Sequence, residues 1–324
     1  MRNADAAMYV AKSKGKARYE CFAPSMHLAV VNRLQLESQL KHAIKNQEFT
    51  LQYQPIVELK TGRISSVEAL VRWDHPERGL VPPMDFIPAA EETGLIGELG
   101  RYVLQQACRQ VRMWQQQFPS DPPLTATVNL SAKQLEDPHL AQEVAATTGE
   151  SELPPETLIL EITETVLMRD SESATAKLHD LKALGVQLAI DDFGTGYSSL
   201  SYLGRFPIDI LKIDRSFVNA MDNSVEGTAL PAAIVALGRS LKLKTTAEGL
   251  ETRQQLQGLH DISCDYAQGY YFTRPLWPTG LVDLLGKEYM DVNPELEQEL
   301  KSASARAQSE KSPNEVKLTL PGRS

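Results

Sequence analysis

Residues 186–199 read V-Q-L-A-I-D-D-F-G-T-G-Y-S-S: an apolar strand, two aspartates and a glycine-rich turn. The same arrangement, a short apolar run that ends in a polar side chain, recurs along the chain, and helical segments separate most of the runs. The polar residues at these run ends are Glu68, Asn129, Glu161, Asp191, Asp192, Lys212 and Glu248. Because the carboxyl ends of barrel strands meet at one rim, this pattern predicts that these side chains converge.

The periodicity of apolar residues predicts an α/β fold with eight strands, at residues 49–59, 64–73, 125–130, 157–163, 186–191, 208–214, 244–247 and 264–272. Helices are predicted at residues 34–44, 84–94, 99–117, 171–184, 227–241 and 252–260. The connection between the first two strands is short, with a turn at Thr61 and Gly62. A parallel pair needs a longer crossover, so we expect these two strands to run antiparallel. The expectation is a modified TIM (β/α)8 barrel with the first strand antiparallel to the rest.

The composition excludes several classes of protein. The net charge of −9 disfavours binding to a nucleic-acid polymer, whose phosphates require a basic surface. The three cysteines form no C-x-x-C pair, which disfavours a zinc knuckle or a disulfide framework and indicates a reducing, cytoplasmic location. No apolar run reaches the roughly 20 residues that span a bilayer, so no membrane contact is expected from this part of the chain.

Carboxylates gathered at strand ends repel one another unless cations bind among them. Oxygen ligands with one Asn, and no His or Cys, favour Mg²⁺ or Mn²⁺ over zinc. Asp191 and Asp192 are adjacent, and a bend at the following glycines turns both carboxylates toward one centre, where two ions share them. Two ions about 3.5–4 Å apart are the usual device for in-line attack at phosphorus.

Side-chain alternation places two cations in this constellation. In the strand at 208–214, Lys212 points into the barrel, where a buried ammonium needs anionic neighbours. In the second strand, Arg72 shares a face with Glu68 and reaches a more distant phosphate, although a structural ion pair is the alternative reading of Arg72. Asp214 likewise has two alternative roles, as the ion-pair partner of Arg215 or as the cap of a loop.

Single motifs have ordinary explanations. A lone Glu at a strand end is usually a solvated cap. The triplet D-F-G also occurs in protein kinases, but the glycine-rich loop and the H-R-D segment that precede it there are missing. The number and the order of the polar strand ends carry the functional interpretation.

Eight motifs occur in the order seen in one family. They are Y-Q-P-I (53–56), E-A-L-V-R-W (68–73), N-L-S (129–131), E-I-T-E (161–164), D-D-F-G-T-G-Y-S-S-L (191–200), K-I-D (212–214), A-E-G-L-E (247–251) and Q-G-Y-Y-F (268–272). From about Leu36 to Leu276 the chain resembles the EAL-domain cyclic-di-GMP phosphodiesterases. Residues 1–24 resemble the end of a GGDEF domain. The expected organisation is therefore a GGDEF remnant and linker (1–24), a barrel (25–286) and a polar, partly helical or disordered tail (287–324).

The resemblance implies roles for named residues. The implied catalytic residues are Lys212, which would hold the attacking water, with Glu248 and Glu68. The implied ligands of two Mg²⁺ or Mn²⁺ ions are Glu68, Asn129, Glu161, Asp191, Asp192 and Glu248. The implied substrate contacts are Gln54, Leu70, Arg72, Asp214, Gln268 and Pro275. Glu164 would brace the loop that follows Asp192.

The implied reaction opens one phosphodiester of cyclic di-GMP to give linear pGpG. Implied partners are a second copy of the chain, through the segment from Asp192 to Gly204, and upstream GGDEF or sensor domains. Three alternatives remain: a cyclic-di-GMP receptor that does not hydrolyse, a barrel enzyme that abstracts protons with the help of metal, and a nuclease. The intact polar set argues against the first, the D-D-F-G-T-G-Y-S-S loop against the second and the acidic charge against the third.

Overall fold

The structure, a computed structural model, describes residues 36–169, 171–195, 203–222 and 226–287. The predicted GGDEF remnant and nearly all of the polar tail lie outside the described residues. The same is true of residues 196–202, which make up much of the segment predicted to form a dimer contact.

Eight strands close into a barrel, and one further short strand, β3, pairs with the barrel strand β2. The strands are β1 (Phe49–Glu58), β2 (Ile64–His75), β3 (Gly79–Val81), β4 (Thr125–Asn129), β5 (Leu158–Thr163), β6 (Gln187–Phe193), β7 (Ile210–Ile213), β8 (Lys244–Ala247) and β9 (Tyr266–Ala267). Their order is β1-β9-β8-β7-β6-β5-β4-β2-β3, and pairing of β1 with β2 closes the ring. The α/β barrel predicted from the sequence is confirmed.

The first strand runs against its neighbours, as predicted. β1 pairs antiparallel with both β2 and β9, whereas β2, β4, β5, β6, β7, β8 and β9 follow one another in parallel. The connection between β1 and β2 is a tight turn in which Gly62 has a φ of 72°, a conformation that glycine adopts without strain. The antiparallel register sets Gln54 opposite Glu68.

The helices surround the barrel and pack their apolar faces on it. They are α1 (36–45), α2 (Ile87–Thr93), α3 (Ile96–Gln117), α4 (Ala132–Glu136), α5 (Leu140–Ser151), α6 (Glu164–Arg169), α7 (Ser171–Ala183), α8 (Arg215–Ala220), α9 (Ala229–Leu241), α10 (Arg253–Asp261) and α11 (Pro278–Leu285). In α3 the buried residues Leu99, Val103, Ala107, Val111 and Trp114 recur every three or four positions, which is the spacing of one helical face. In the described ranges, no helix combines the length and the apolarity needed to cross a bilayer.

Several predicted elements have different bounds. The strand predicted at 264–272 is wrong for most of its length, because only Tyr266 and Ala267 pair as a strand. The chain then turns at Gly269, where a Cβ would lie 2.1 Å from the carbonyl oxygen of Leu250. The sequence analysis also missed β3 and the helices α4, α5, α6, α8 and α11. Most of these are short, so few apolar repeats mark them in the sequence.

The apolar core has two parts. The larger part lies between the strands and the helices and includes Leu211 and Ile213. A small cluster of Ile159, Ala189 and Ile210 lies separate from it. Alternation along β7 therefore assigns Ile210 and the polar Lys212 to the inner face, as predicted. The small apolar cluster inside the barrel ends at this level, and polar side chains occupy the carboxyl end of the barrel.

Candidate metal and active site

Glu68 is held by two side-chain amides, one at the end of β4 and one in the turn after β9. The Nδ2 of Asn129 donates to its Oε1 at 2.7 Å, and the Nε2 of Gln268 donates to its Oε2 at 2.7 Å. Asn129 ends β4, which pairs in parallel with β2, and Gln268 follows β9 directly. Glu68 is 7% exposed, so these bonds compensate for the loss of water around its carboxylate.

Lys212 is the centre of the site. Its Nζ lies 2.7 Å from Oε2 of Glu161, 3.2 Å from Oδ1 of Asp191 and 2.5 Å from Oε1 of Glu248. Its side chain is 2% exposed, and an ammonium buried to this extent is tolerated only among opposite charges. Burial by itself would lower the pKa of Lys212, but the surrounding carboxylates, Glu161 first, hold it well above the usual value. Lys212 is therefore a permanent cation in this structure.

Asp191 and Asp192 face the same centre because the strand bends between them. The pairing of β6 with β7 loses its register between Ile190 and Phe193, and Asp192 has a φ of 53°. An oxygen of each aspartate and one of Glu248 lie within 4.8 Å of one another. A regular strand would have sent the two aspartates to opposite faces. The sequence analysis attributed the bend to the glycines that follow, whereas the register shift and the positive φ lie at Asp192, before them.

Negative charge exceeds positive charge in the site. Among the described residues the site holds five carboxylates and the ammonium of Lys212, which leaves an excess of four negative charges when all are ionised; the carboxylates are those of Glu68, Glu161, Asp191, Asp192 and Glu248. Two divalent cations carry the opposite charge. The donors are carboxylate and amide oxygens, the ligands that Mg²⁺ and Mn²⁺ prefer, so the residues fit such ions.

The protonation of these acids reflects the same excess. Burial, opposed by Lys212, raises the pKa of Glu161 well above its usual value. Burial and the charge of Asp191 raise the pKa of Asp192. Burial raises the pKa of Glu248 to about 8, with the charge of Lys212 acting against it and that of Asp191 adding to it. Nearby cations would stabilise the ionised forms and lower all three pKa values.

Glu164 lies beneath the turn that follows the aspartates. It is 2% exposed, and its Oε2 accepts a hydrogen bond from the backbone N–H of Gly194 at 2.9 Å. Gly194 has a φ of 95°, which a residue with a side chain adopts only with strain. Glu164 is thus tied to the first residues of the loop, and residues 196–202 of that loop lie outside the described part.

Three of the residues expected to contact substrate have different surroundings in the structure. The Nε of Arg72 donates to Oε1 of Gln52 at 2.9 Å, and its Nη1 donates to the carbonyl of Val71 at 2.9 Å. Leu70 lines a cavity of about 290 Å³ together with Asn129. The carboxylate of Asp214 accepts from the N–H of Ser216 at 3.0 Å and so caps the start of α8.

Gln54 and Gln268 lie deep in the site rather than on its surface. They are 8% and 4% exposed, and the Nε2 of Gln268 donates to Oε1 of Gln54 at 3.0 Å. Pro275, in contrast, is half-buried in the segment that follows the Gln268 turn. The structure thus brings Gln54 and Gln268 to the carboxylates and leaves Pro275 on the rim.

The sequence analysis missed three residues at the mouth of the barrel. Gln52 holds Arg72, and the guanidinium of Arg274 lies 4.9 Å from the ring centre of Tyr270. Alternation along β1 puts Gln52 on the face of Gln54, so that signal was available for Gln52. Tyr270 lies within the Q-G-Y-Y-F motif but was given no role, and Arg274 lies just beyond that motif.

Three comparisons relate this chain to known proteins. The sequence model of a family described as "EAL domain" matches residues 37–275. The Pseudomonas aeruginosa protein named "Bifunctional diguanylate cyclase/cyclic di-GMP phosphodiesterase MucR" is 45% identical over 276 residues, which cover 85% of this chain and 40% of that protein. The Escherichia coli protein named "Cyclic di-GMP phosphodiesterase PdeR" is 39% identical over 276 residues, which cover 85% of this chain and 41% of that protein.

Solved structures agree with these sequence relatives. A structure named "PaMucR Phosphodiesterase, c-di-GMP complex" superposes with a TM-score of 0.73 at 44% identity, covering 76% of this chain and 99% of that one. The chain spans less than half the length of the two curated relatives.

Proposed function

This chain belongs to the EAL-domain family, and on that basis we propose that it hydrolyses one phosphodiester bond of cyclic di-GMP to give linear pGpG, with two divalent ions, Mg²⁺ or Mn²⁺, in its site. One observation carries the proposal most directly: three carboxylates contact the buried ammonium of Lys212 at the carboxyl end of the barrel, and Asp192 and Glu68 add two more carboxylates to the same site. The names of MucR and PdeR, and the complex of PaMucR with c-di-GMP, support the choice of substrate.

The proposed ligands of the ions are Glu68, Asn129, Glu161, Asp191, Asp192 and Glu248. When bound, the two ions would acidify the attacking water and neutralise charge that develops on the phosphate. The water oxygen forms a bond to phosphorus, the bond from phosphorus to the 3′ oxygen breaks, and the 3′ oxygen takes up a proton. The product keeps its phosphate on the 5′ side, as pGpG does.

Lys212 holds the attacking water in this mechanism. Its three N–H groups match the three carboxylates that face it at 2.5–3.2 Å. A water can take one of these positions once a carboxylate turns away. Glu248 is suited to do so, because its side chain is 20% exposed while that of Glu161 is 1% exposed. Glu161 then remains the fixed partner that keeps Lys212 charged and oriented.

Other residues position the substrate and the loop. Arg72 places its guanidinium near the phosphate, with Leu70, Asp214 and Pro275 nearer the bases and riboses. Glu164 holds the turn at Gly194 and, through it, the aspartates that precede the turn.

The proposed catalytic unit is the barrel, residues 25–286. The relatives extend well beyond the matched region, so we propose that this unit works with upstream GGDEF or sensor domains. A homodimer through the segment between Asp192 and Gly204 would couple assembly to the aspartates. Light scattering of an active preparation tests the dimer, and full activity of a monomer would argue against it.

The hydrolysis is tested by chromatography of nucleotides after incubation with cyclic di-GMP and Mg²⁺ or Mn²⁺. We expect pGpG to form, a chelator to stop its formation and Glu68→Ala to abolish it. Glu150→Ala, which changes an exposed glutamate at the end of α5, is the matched control and should leave the rate unchanged. Tight binding of cyclic di-GMP without product, with metal present, would instead identify a receptor.

A further inference from the structure

A chain of hydrogen bonds runs from the rim of the barrel to Glu68. The carbonyl oxygen of Thr273 accepts from Nε2 of Gln54 at 3.1 Å. The Oε1 of Gln54 accepts from Nε2 of Gln268 at 3.0 Å, and the same Nε2 donates to Oε2 of Glu68 at 2.7 Å. The four residues come from β1, β2 and the turn after β9, so barrel closure alone brings them together.

The chemistry of the groups allows only one orientation for each amide in this chain. A backbone carbonyl can only accept, so Gln54 must turn its Nε2 toward Thr273. The Oε1 of Gln54 is therefore directed at Gln268, which must donate a hydrogen bond to it from Nε2. In the opposite orientation, Gln268 would set an oxygen against both Gln54 and Glu68. The ionised carboxylate of Glu68 can also only accept, so Gln54 and Glu68 select the same end of the Gln268 amide and Gln54 reinforces that orientation.

Among the described residues, the hydrogen bonds that orient the side-chain amide of Gln268 are those to Gln54 and to the carboxylate of Glu68. The backbone of Gln268 is anchored, since its N–H donates to the carbonyl of Ala247 at 2.8 Å and its carbonyl accepts from Leu250 at 3.0 Å. These bonds hold the main chain but not the rotation of the side-chain amide. The Oε1 of Gln268 is buried and has no hydrogen-bond partner in the described part of the chain. Such an acceptor in a polar site is available to a water molecule or another donor.

The rim segment has a second link to the same strand. Leu276 exchanges both backbone hydrogen bonds with Tyr53, at 2.7 and 2.9 Å. Gln54 is the next residue along β1, so the segment from Thr273 to Leu276 and the Gln54 side chain are positioned together. A shift of this segment would therefore be transmitted to Glu68 through the side chains of Gln54 and Gln268.

We infer that Gln54 is a positioning residue of the metal site, which reinforces the orientation of Gln268 and through it that of Glu68. This inference rests on the metal site of the proposed function. It concerns the affinity of the protein for the ion, which is measurable without any nucleotide. Residues that orient metal ligands in this way commonly change metal affinity by about 10- to 100-fold when they are removed.

The test measures Mn²⁺ binding to the whole chain by electron paramagnetic resonance, without nucleotide. Gln54→Met keeps the length of the side chain but removes its donor and acceptor, and we expect it to weaken Mn²⁺ binding by about 10- to 100-fold. Gln54→Asn retains an amide that is too short to span both partners, and we expect a similar loss. The second variant keeps the test decisive if the first does not fold.

Gln115→Met is the matched control. Gln115 has the same 8% exposure as Gln54, and its Nε2 donates to the carbonyl of Leu124 at 2.7 Å and to Oγ1 of Thr157 at 3.1 Å, away from the carboxylates. Its replacement should lower thermal stability and leave the Kd for Mn²⁺ unchanged. A change in Mn²⁺ affinity at Gln54 and not at Gln115 separates positioning from general destabilisation.

A double-mutant cycle shows whether Gln54 acts through Gln268. We expect Gln54→Met to cost little further Mn²⁺ affinity in a Gln268→Met background, since the orientation it reinforces is then already lost. Additive losses would overturn the inference. So would wild-type Mn²⁺ affinity in Gln54→Met combined with a raised KM for cyclic di-GMP, which would mark a substrate contact. If Gln54→Met weakens Mn²⁺ binding but the wild-type protein forms no pGpG, the result overturns the proposed function and leaves this inference standing.

Discussion

Replacing Lys212 with methionine tests the electrostatic organisation of the site. Methionine has a similar length and no charge, so Lys212→Met leaves Glu161, Asp191 and Glu248 without the ammonium that lies 2.5–3.2 Å from them. Removal of one partner from a buried ion pair costs about 3–5 kcal/mol of the free energy of unfolding. For a domain of this size, each kcal/mol corresponds to roughly 2–4 °C in Tm, so a loss of roughly 6–20 °C follows.

The pH and the metal modulate that loss in predictable directions. The orphaned carboxylates can bind protons, so the loss should be smaller at pH 6 than at pH 8. Divalent ions replace the missing positive charge. We therefore expect Mn²⁺ to stabilise Lys212→Met more than it stabilises the wild type, although the variant has no hydrolytic activity.

Urea denaturation in the presence of EDTA measures the effect. Trp73 and Trp114 are 1% and 2% exposed, so their fluorescence reports the unfolding of the barrel. Lys182→Met is the matched control, because Lys182 pairs with Asp209 at 2.8 Å on a side chain that is 29% exposed. Such an exposed pair contributes up to about 1 kcal/mol. Equal losses in the two variants at pH 8 would refute the idea that the carboxylates depend on Lys212.

Three further outcomes are expected. In EDTA the wild type should lose stability as the pH rises toward about 8. The reason is that folding raises the pKa of Glu248, so the folded state binds this proton more tightly than the unfolded chain does. A flat profile of stability against pH, measured by thermal denaturation, would contradict this. Gly269→Ala should unfold the turn after β9, because its Cβ would lie 2.1 Å from a backbone oxygen, whereas Gly97→Ala, with open space around it in α3, should be neutral or stabilising in the same thermal scan. Burial raises the pKa of Cys108 to about 12 and that of Cys264 to about 11, so peptide mapping after thiol alkylation at pH 8 should find both unmodified until urea is added.

The rim of the barrel was predictable because its signals are local. Asn129 and Glu161 end or nearly end an apolar run, Glu68 lies within β2, and period-two alternation was enough to direct Lys212 inward. The bend that brings Asp191 and Asp192 together lies at Asp192, next to the glycine-rich segment from which it was expected. In each case a residue and its immediate neighbours contain the information, so reading the chain in order recovers it.

Errors arose where packing between distant segments overrides the local pattern. The run from Cys264 to Phe272 is apolar enough for a long strand, but the chain turns at Gly269, which lies against Leu250. The competing partners of these residues become apparent only in the folded chain.

The sequence by itself determined the α/β class, the antiparallel first strand and the kinds of side chain that end the strands, because those properties depend on periodicity and on short connections. Only the tertiary structure decided which of these side chains touch. Gln268 reaches Gln54 across 214 positions and Glu68 across 200, and it does so because β1 closes the ring between β2 and β9. No local propensity encodes such a contact, since it exists only when the barrel closes and the buried polar groups must find partners away from water.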